Sequence, residues 1–219
     1  MRVLDAGQLL IQSRGYNGFS YDDLARMLGI TKASIHHHFR TKADLGATVV
    51  RRYTEDFHKK LAHVESTCHS GETRLAAYVE LFVQTYAKDR NLCPGGMLSA
   101  ESTGMPPAIM LEVSQFFDAN LTWLTRLFAG PTTTDPGTIA RAEELAVCLF
   151  SCLEGAMVVG RALPTAERSS GSVVAVGGTA RAIFSAYLPC AQPGTAVASS
   201  IRHSAATAPE TRLPRTSAS

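Results

Sequence analysis

Charge of one sign is scarce in this chain. Its 219 residues carry 21 Lys and Arg against 19 Asp and Glu, a net of +2, and a balance so near zero names no partner. Ordered cysteine patterns are missing too. The five cysteines (Cys68, Cys93, Cys148, Cys152 and Cys190) are odd in number and irregular in spacing, which argues for reduced thiols rather than a disulfide framework. No N-terminal apolar run with a cleavage site occurs, and no stretch reaches the length of a membrane span. The longest apolar passages, such as 145–150, are interrupted by Ser151, Glu154 and Arg161. The expectation is a soluble, cytoplasmic chain with no membrane partner. Also absent are a strand–glycine loop–helix unit, a nucleophile elbow, a paired acid and base, metal-ligand spacing and any internal repeat. No catalytic residue, cofactor or metal is therefore expected.

What is present is concentrated in residues 20–45. Ser20 has Asp23 three positions later, a capping box that opens a helix. Leu24, Ala25 and Leu28 fall on one face of it, and Gly29 closes it where a left-handed backbone suits glycine. Ile30 is placed to plug the turn. Thr31 caps a second helix whose Ile35 and Phe39, four apart, face inward. Thr41 with Asp44 repeats the capping pattern and opens a third helix. Lys32, Ser34, His36 and His37 are left facing outward.

A short helix, a glycine turn and a second helix with a polar outer face is helix-turn-helix grammar, in which the second helix enters the DNA major groove. An ordinary helical hairpin in a bundle is the other reading. Charge distribution bears on the choice. Residues 1–60 hold ten Lys and Arg against six Asp and Glu, and the remainder holds eleven against thirteen, so positive charge gathers where phosphates would be met. Lys32 and the helix start suit phosphates; Ser34 is short enough for a base edge, and Ala33 offers a methyl contact to thymine. Tyr21 and Lys42, at the starts of the flanking helices, are placed to clamp phosphates on either side. Adjacent side chains on a helix diverge by about 100°, so His36, His37 and His38 do not converge on one ion. His38 is expected to pack against the first helix.

The run from Leu24 to Leu45, with its Gly-Ile turn, paired histidines before His-Phe and following Lys-x-x-Leu, resembles the DNA-binding signature of the TetR/AcrR family of bacterial repressors. The likeness covers about residues 2–50. It implies that Thr31 to His37 face DNA, the positions of His36 and His37 often being tyrosine or histidine in the family. It implies a homodimer, and a small-molecule effector bound in the C-terminal half. The family usually carries a longer basic arm before the first helix; only Met1 and Arg2 precede it here, so arm contacts are not carried over.

The remaining pattern is all-α: a three-helix head (1–50), a connecting helix, then a ligand-binding and dimerisation body (51–188) and a tail (189–219) expected to be disordered. Leu45, Val49, Tyr53, Phe57 and Leu61 mark the connecting helix to about residue 64. Further helices are expected at about 72–88, 97–102, 108–128, 138–163 and 170–188. The last two are rich in small residues (Ala156, Gly160, Ala175, Gly178, Ala182), which suits either a two-fold helix contact or close packing inside one chain. Gly177-Gly178 is poor helix chemistry.

Cys93 stands just before a helix start, where amide dipoles lower a thiol pKa. Its segment resembles one in electrophile- or oxidant-responsive family members, in which a lysine on a later helix partners the cysteine. Arg161 takes that place here. A buried small hydrophobe is the plainer reading of Cys93. Cys148 and Cys152, one helical turn apart, read as core packing ahead of paired redox chemistry, and Glu101 and Glu154 as solvated surface ahead of polar pocket groups. The functional expectation is a ligand- or thiol-responsive DNA-binding repressor acting on a palindromic operator; the alternative is a cysteine-dependent redox enzyme with an incidental helix-turn-helix.

Overall fold

In the computed structural model residues 2–163 and Gly171 are described. The expected helix at 170–188, with Gly177-Gly178, and the tail from 189 lie outside these residues. The described part is all-helical: α1 (Arg2–Arg14), α2 (Tyr21–Leu28), α3 (Lys32–His38), α4 (Lys42–Thr67), α5 (Gly71–Ala87), α6 (Pro94–Ala100), α7 (Pro107–Ala129) and α8 (Pro136–Ala162).

The caps set the helix starts. Ser20 Oγ accepts from the Asp23 amide at 3.3 Å while Asp23 Oδ2 accepts from the Ser20 amide at 2.8 Å. Thr41 and Asp44 make the same reciprocal pair at 3.1 and 2.9 Å. Gly29 ends α2 at φ 65°, the left-handed conformation that costs an L-residue about 1 kcal/mol. Ile30 does not plug the turn; it is 37% exposed, because the turn is closed by its amide donating to the Ala25 carbonyl at 3.1 Å.

Two apolar cores follow. In the first, Leu10 and Ile11 of α1, Leu24 of α2, Ile35 of α3 and Leu45 and Val49 of α4 pack together, and Phe39 leans on them. This core does not close within the first fifty residues: Leu98 of α6 and Ile109 and Val113 of α7 complete it. In the second, Phe57 of α4 meets Tyr78 and Phe82 of α5, Phe116 and Trp123 of α7 and Phe150 of α8. The 26-residue α4, about 39 Å at 1.5 Å per residue, belongs to both. So does α6, whose Leu98 lies in the first core while the preceding Cys93 lies in the second.

One expectation fails on α8. Among the described residues this helix is long and apolar enough to cross a membrane by length and composition, despite its interrupting polar residues. It buries Ala146, Leu149, Leu153 and Met157 against the body, yet Val147, Val158 and Val159 are more than half exposed.

Adding a Cβ at Gly29 meets no atom within 4 Å, so a Gly29→Ala change tests the backbone alone. It should lower unfolding free energy by about 1 kcal/mol in urea titration.

Candidate functional site

The outer face of α3 is built by its cap and its anchor. Thr31 Oγ1 accepts from the Ser34 amide at 3.1 Å and lies 2.9 Å from the Ser34 hydroxyl, while Ile35, with no solvent exposure, fixes the helix to the head core. Thr31, Lys32, Ala33, Ser34, His36 and His37 are all exposed, so the structure brings these six expected residues to one accessible segment. They are not equally free. Lys32 Nζ pairs with Asp22 Oδ2 at 2.9 Å, an exposed ion pair worth at most about 1 kcal/mol. His36 Nδ1 donates to the Arg40 carbonyl at 3.2 Å, and its ring meets the edge of Tyr21. His37 touches only the ring of His38 in this way, at 5.3 Å between centroids. His38 itself is exposed rather than packed on α1, because the seven-residue helix turns its last histidines to solvent.

The two flanking clamps are corrected by the structure. Tyr21 is buried, and its hydroxyl donates to the Thr41 carbonyl at 2.6 Å and the Phe39 carbonyl at 3.1 Å. It ties α2 to the α3–α4 junction, and burial pushes the phenol up to about 12. Lys42 is likewise turned inward: Nζ donates to the Tyr16 and Phe19 carbonyls and sits 4.4 Å from both ring centroids. Both side chains brace the head from within instead of reaching for phosphate. The signal was available in part, since the aromatic pair Tyr16 and Phe19 brackets the α1–α2 loop. Among the described residues no group of three or more His, Cys, Asp or Glu is placed to hold a metal ion.

In the body the surroundings of Cys93 oppose the expected thiolate. The thiol has no solvent exposure. The Gly95 and Gly96 amides do hydrogen-bond the sulfur and favour its charged form, but burial outweighs them, and the neighbouring Glu154 carboxyl adds to it, so the thiol is held well above its ordinary value. Arg161 is not the partner of this cysteine. Its guanidinium donates to the Gln12 and Ser13 carbonyls at the end of α1, spending its charge on the C-terminal dipole. The group that does meet Cys93 is Glu154, for which the sequence favoured solvated surface over the pocket role it also allowed. Burial raises its carboxyl from 4.5 to about 7, the hydrogen bond from the thiol opposing only weakly, and Oε1 has neither solvent contact nor a hydrogen-bond partner. Tyr53 of α4 lies beside Cys93 and Thr85, and burial of its hydroxyl pushes the phenol well above the ordinary value. A signal for Glu154 existed: it lies four residues after Phe150 and three before Met157, on the stripe that faces the core. Cys148 and Cys152 are exposed rather than core, because they fall on the opposite side of α8.

Two outcomes follow. A Lys42→Met variant, which keeps the stem and removes the ammonium, should lose about 1.5–3 kcal/mol in urea unfolding for its charged hydrogen bonds. For Glu154, the folded carboxyl holds its proton more tightly than the unfolded one, so stability is complete below pH 4.5 and lost as pH rises through about 7. Relative to Glu154→Gln, wild-type protein should lose on the order of 3 kcal/mol across that window, read from paired unfolding curves at pH 4.5, 6 and 8.

Residues 3–48 match the model of bacterial regulatory proteins of the tetR family. The HTH-type transcriptional repressor NemR of Escherichia coli is 27% identical over 105 residues, 45% of this chain and 51% of NemR, so the chain spans about half the length of that curated relative. The HTH-type transcriptional activator FasR of Mycolicibacterium smegmatis is 30% identical over 82 residues, 35% of this chain and 37% of FasR. Among solved structures, a TetR transcriptional regulator from Legionella pneumophila superposes with a TM-score of 0.72 at 26% identity, covering 81% of this chain and 95% of that one. The two curated relatives are described as a transcriptional repressor and a transcriptional activator. With its capped head, its exposed and anchored α3 and a helical body of the same layout, the chain is similar to bacterial regulatory proteins of the tetR family over residues 3–48 and to a solved member of that family over most of its length.

Proposed function

We propose that the chain is a cytoplasmic, homodimeric transcriptional repressor that binds a palindromic operator and is released by a small molecule held in the body. The observation that carries this is α3: six exposed side chains from Thr31 to His37 stand on a helix whose Ile35 is fully buried, which is the arrangement a major-groove helix needs. Ser34 and Ala33 are the base-reading residues, and Lys32 exchanges Asp22 for a phosphate. Head (1–50) and body (51–188) are the working divisions. The open face of α8, with Val147, Cys148, Ser151, Cys152, Gly155, Val158 and Val159 exposed, supports a helix contact with a second copy.

Release is read as passing through α6. Gln12 Nε2 donates to the Leu92 carbonyl at 3.0 Å, and the Asn17 amide donates to Glu101 Oε2 at 3.0 Å, so both ends of the α6 segment are tied to the α1 side of the head. A shift of α6 or of the connecting α4 alters the pose of α3. A small-molecule trigger is favoured over thiol chemistry at Cys93, because burial and Glu154 oppose the thiolate that electrophiles and oxidants attack.

Footprinting of the DNA upstream of the chain's own gene should show a protected inverted repeat with half-sites one helical turn apart, about 34 Å. No protected repeat at moderate salt overturns the reading. Ser34→Ala should change preference at one base pair by about 1–3 kcal/mol, whereas Lys42→Met should leave the slope of log affinity against log salt unchanged.

A further inference from the structure

Glu154, like Arg52, carries a buried side-chain atom with no hydrogen-bond partner among the described residues. Its Oε1 is sealed from solvent and accepts no hydrogen bond, and such an orphaned buried acceptor bears its full desolvation penalty, more when charged. Among the described residues its hydrogen-bonding side-chain neighbour is the Cys93 thiol, and Tyr53 and Tyr78 add hydroxyls, not cations, to its surroundings. Arg161, seven residues further along α8, is committed to carbonyls of α1. Among the described residues, no positively charged donor is bonded to Glu154 Oε1.

Its walls are aromatic. Phe117 and Phe150 lie 5.4 Å apart between ring centroids, and Phe116 lies 5.4 Å from Tyr53. Gly95 and Gly96 keep one side thin: a Cβ on Gly95 would lie 2.9 Å from both Phe116 and Phe117, and one on Gly96 would overlap the Glu154 carboxyl. Gly96, Met97 and Phe117 on this side are half-buried rather than sealed.

We propose that Glu154 anchors an arylalkyl ammonium ligand, whose N–H group satisfies Oε1 while its ring stacks among Phe117, Phe150 and Tyr53. The ammonium supplies the missing donor and the charge, and aromatic faces favour both the cation and the attached ring. An anionic ligand is disfavoured by the carboxylate, and a pure hydrocarbon leaves Oε1 unsatisfied. This names the effector class of the regulator reading above and rests on it for its biological meaning, but not for its chemistry.

The test is calorimetric titration of the full chain, free of DNA, at pH 8. The probes are 2-phenylethylamine and 1-naphthylmethylamine, their uncharged isosteres propylbenzene and 1-ethylnaphthalene, and 3-phenylpropionate. The amines should bind at least tenfold more tightly than the isosteres and the carboxylate should not bind. Glu154→Gln should abolish the amine preference and leave hydrocarbon binding as it was. Equal affinity of wild-type protein for amine and isostere, binding of the carboxylate, or no binding of any amine overturns the proposal without recourse to a variant, as does a preference that survives in Glu154→Gln. Because no operator enters the titration, a failed footprint and a failed titration are separate results.

Discussion

Residues 91–101 are gripped from two sides at once, and the relation of reading helix to body depends on that grip. Cys93 and Leu98, only five positions apart and both without solvent exposure, belong to different apolar cores. Gln12 is bonded to Leu92 at one end of the segment and Asn17 to Glu101 at the other. Packed interiors yield in discrete steps rather than continuously, so the two cores and these bonds hold the segment in one pose. Arg51 strengthens the frame from α4, bonding Glu112 of α7 at 3.0 Å through Nε.

In the head, cationic and phenolic groups that look suited to DNA are used to hold the scaffold. Lys42 fills the loop between α1 and α2, and Tyr21 closes the junction of α3 with α4. The consequence is a rigid platform carrying short side chains. On the proposed reading, contacts to bases depend on the pose of α3 more than on long flexible residues.

In the body, two effects compete at one sulfur. Backbone amides at the start of α6 favour a thiolate, and burial beside a carboxyl disfavours it; the second wins because a charge removed from water loses more than two amides return. The same burial leaves Glu154 with an acceptor it does not use. Proximity to a helix start is therefore a poor guide to reactivity when the tertiary environment is acidic and apolar.

Local chemistry was legible in the order of residues. The caps at Ser20 and Thr41, the left-handed Gly29, the inward Ile35 and the stripe Leu45–Val49–Phe57–Leu61 are set by contacts within four positions, so spacing alone located the helices and the outward face of α3. What spacing does not encode is which distant atoms fill a partner's need. That Lys42 meets carbonyls of residues 16 and 19, that Arg161 meets those of residues 12 and 13, and that Glu154 rather than a cation faces Cys93, are decided only when helices far apart in the chain pack together. A polar side chain's role follows from its burial and its neighbours, and both are properties of the folded whole.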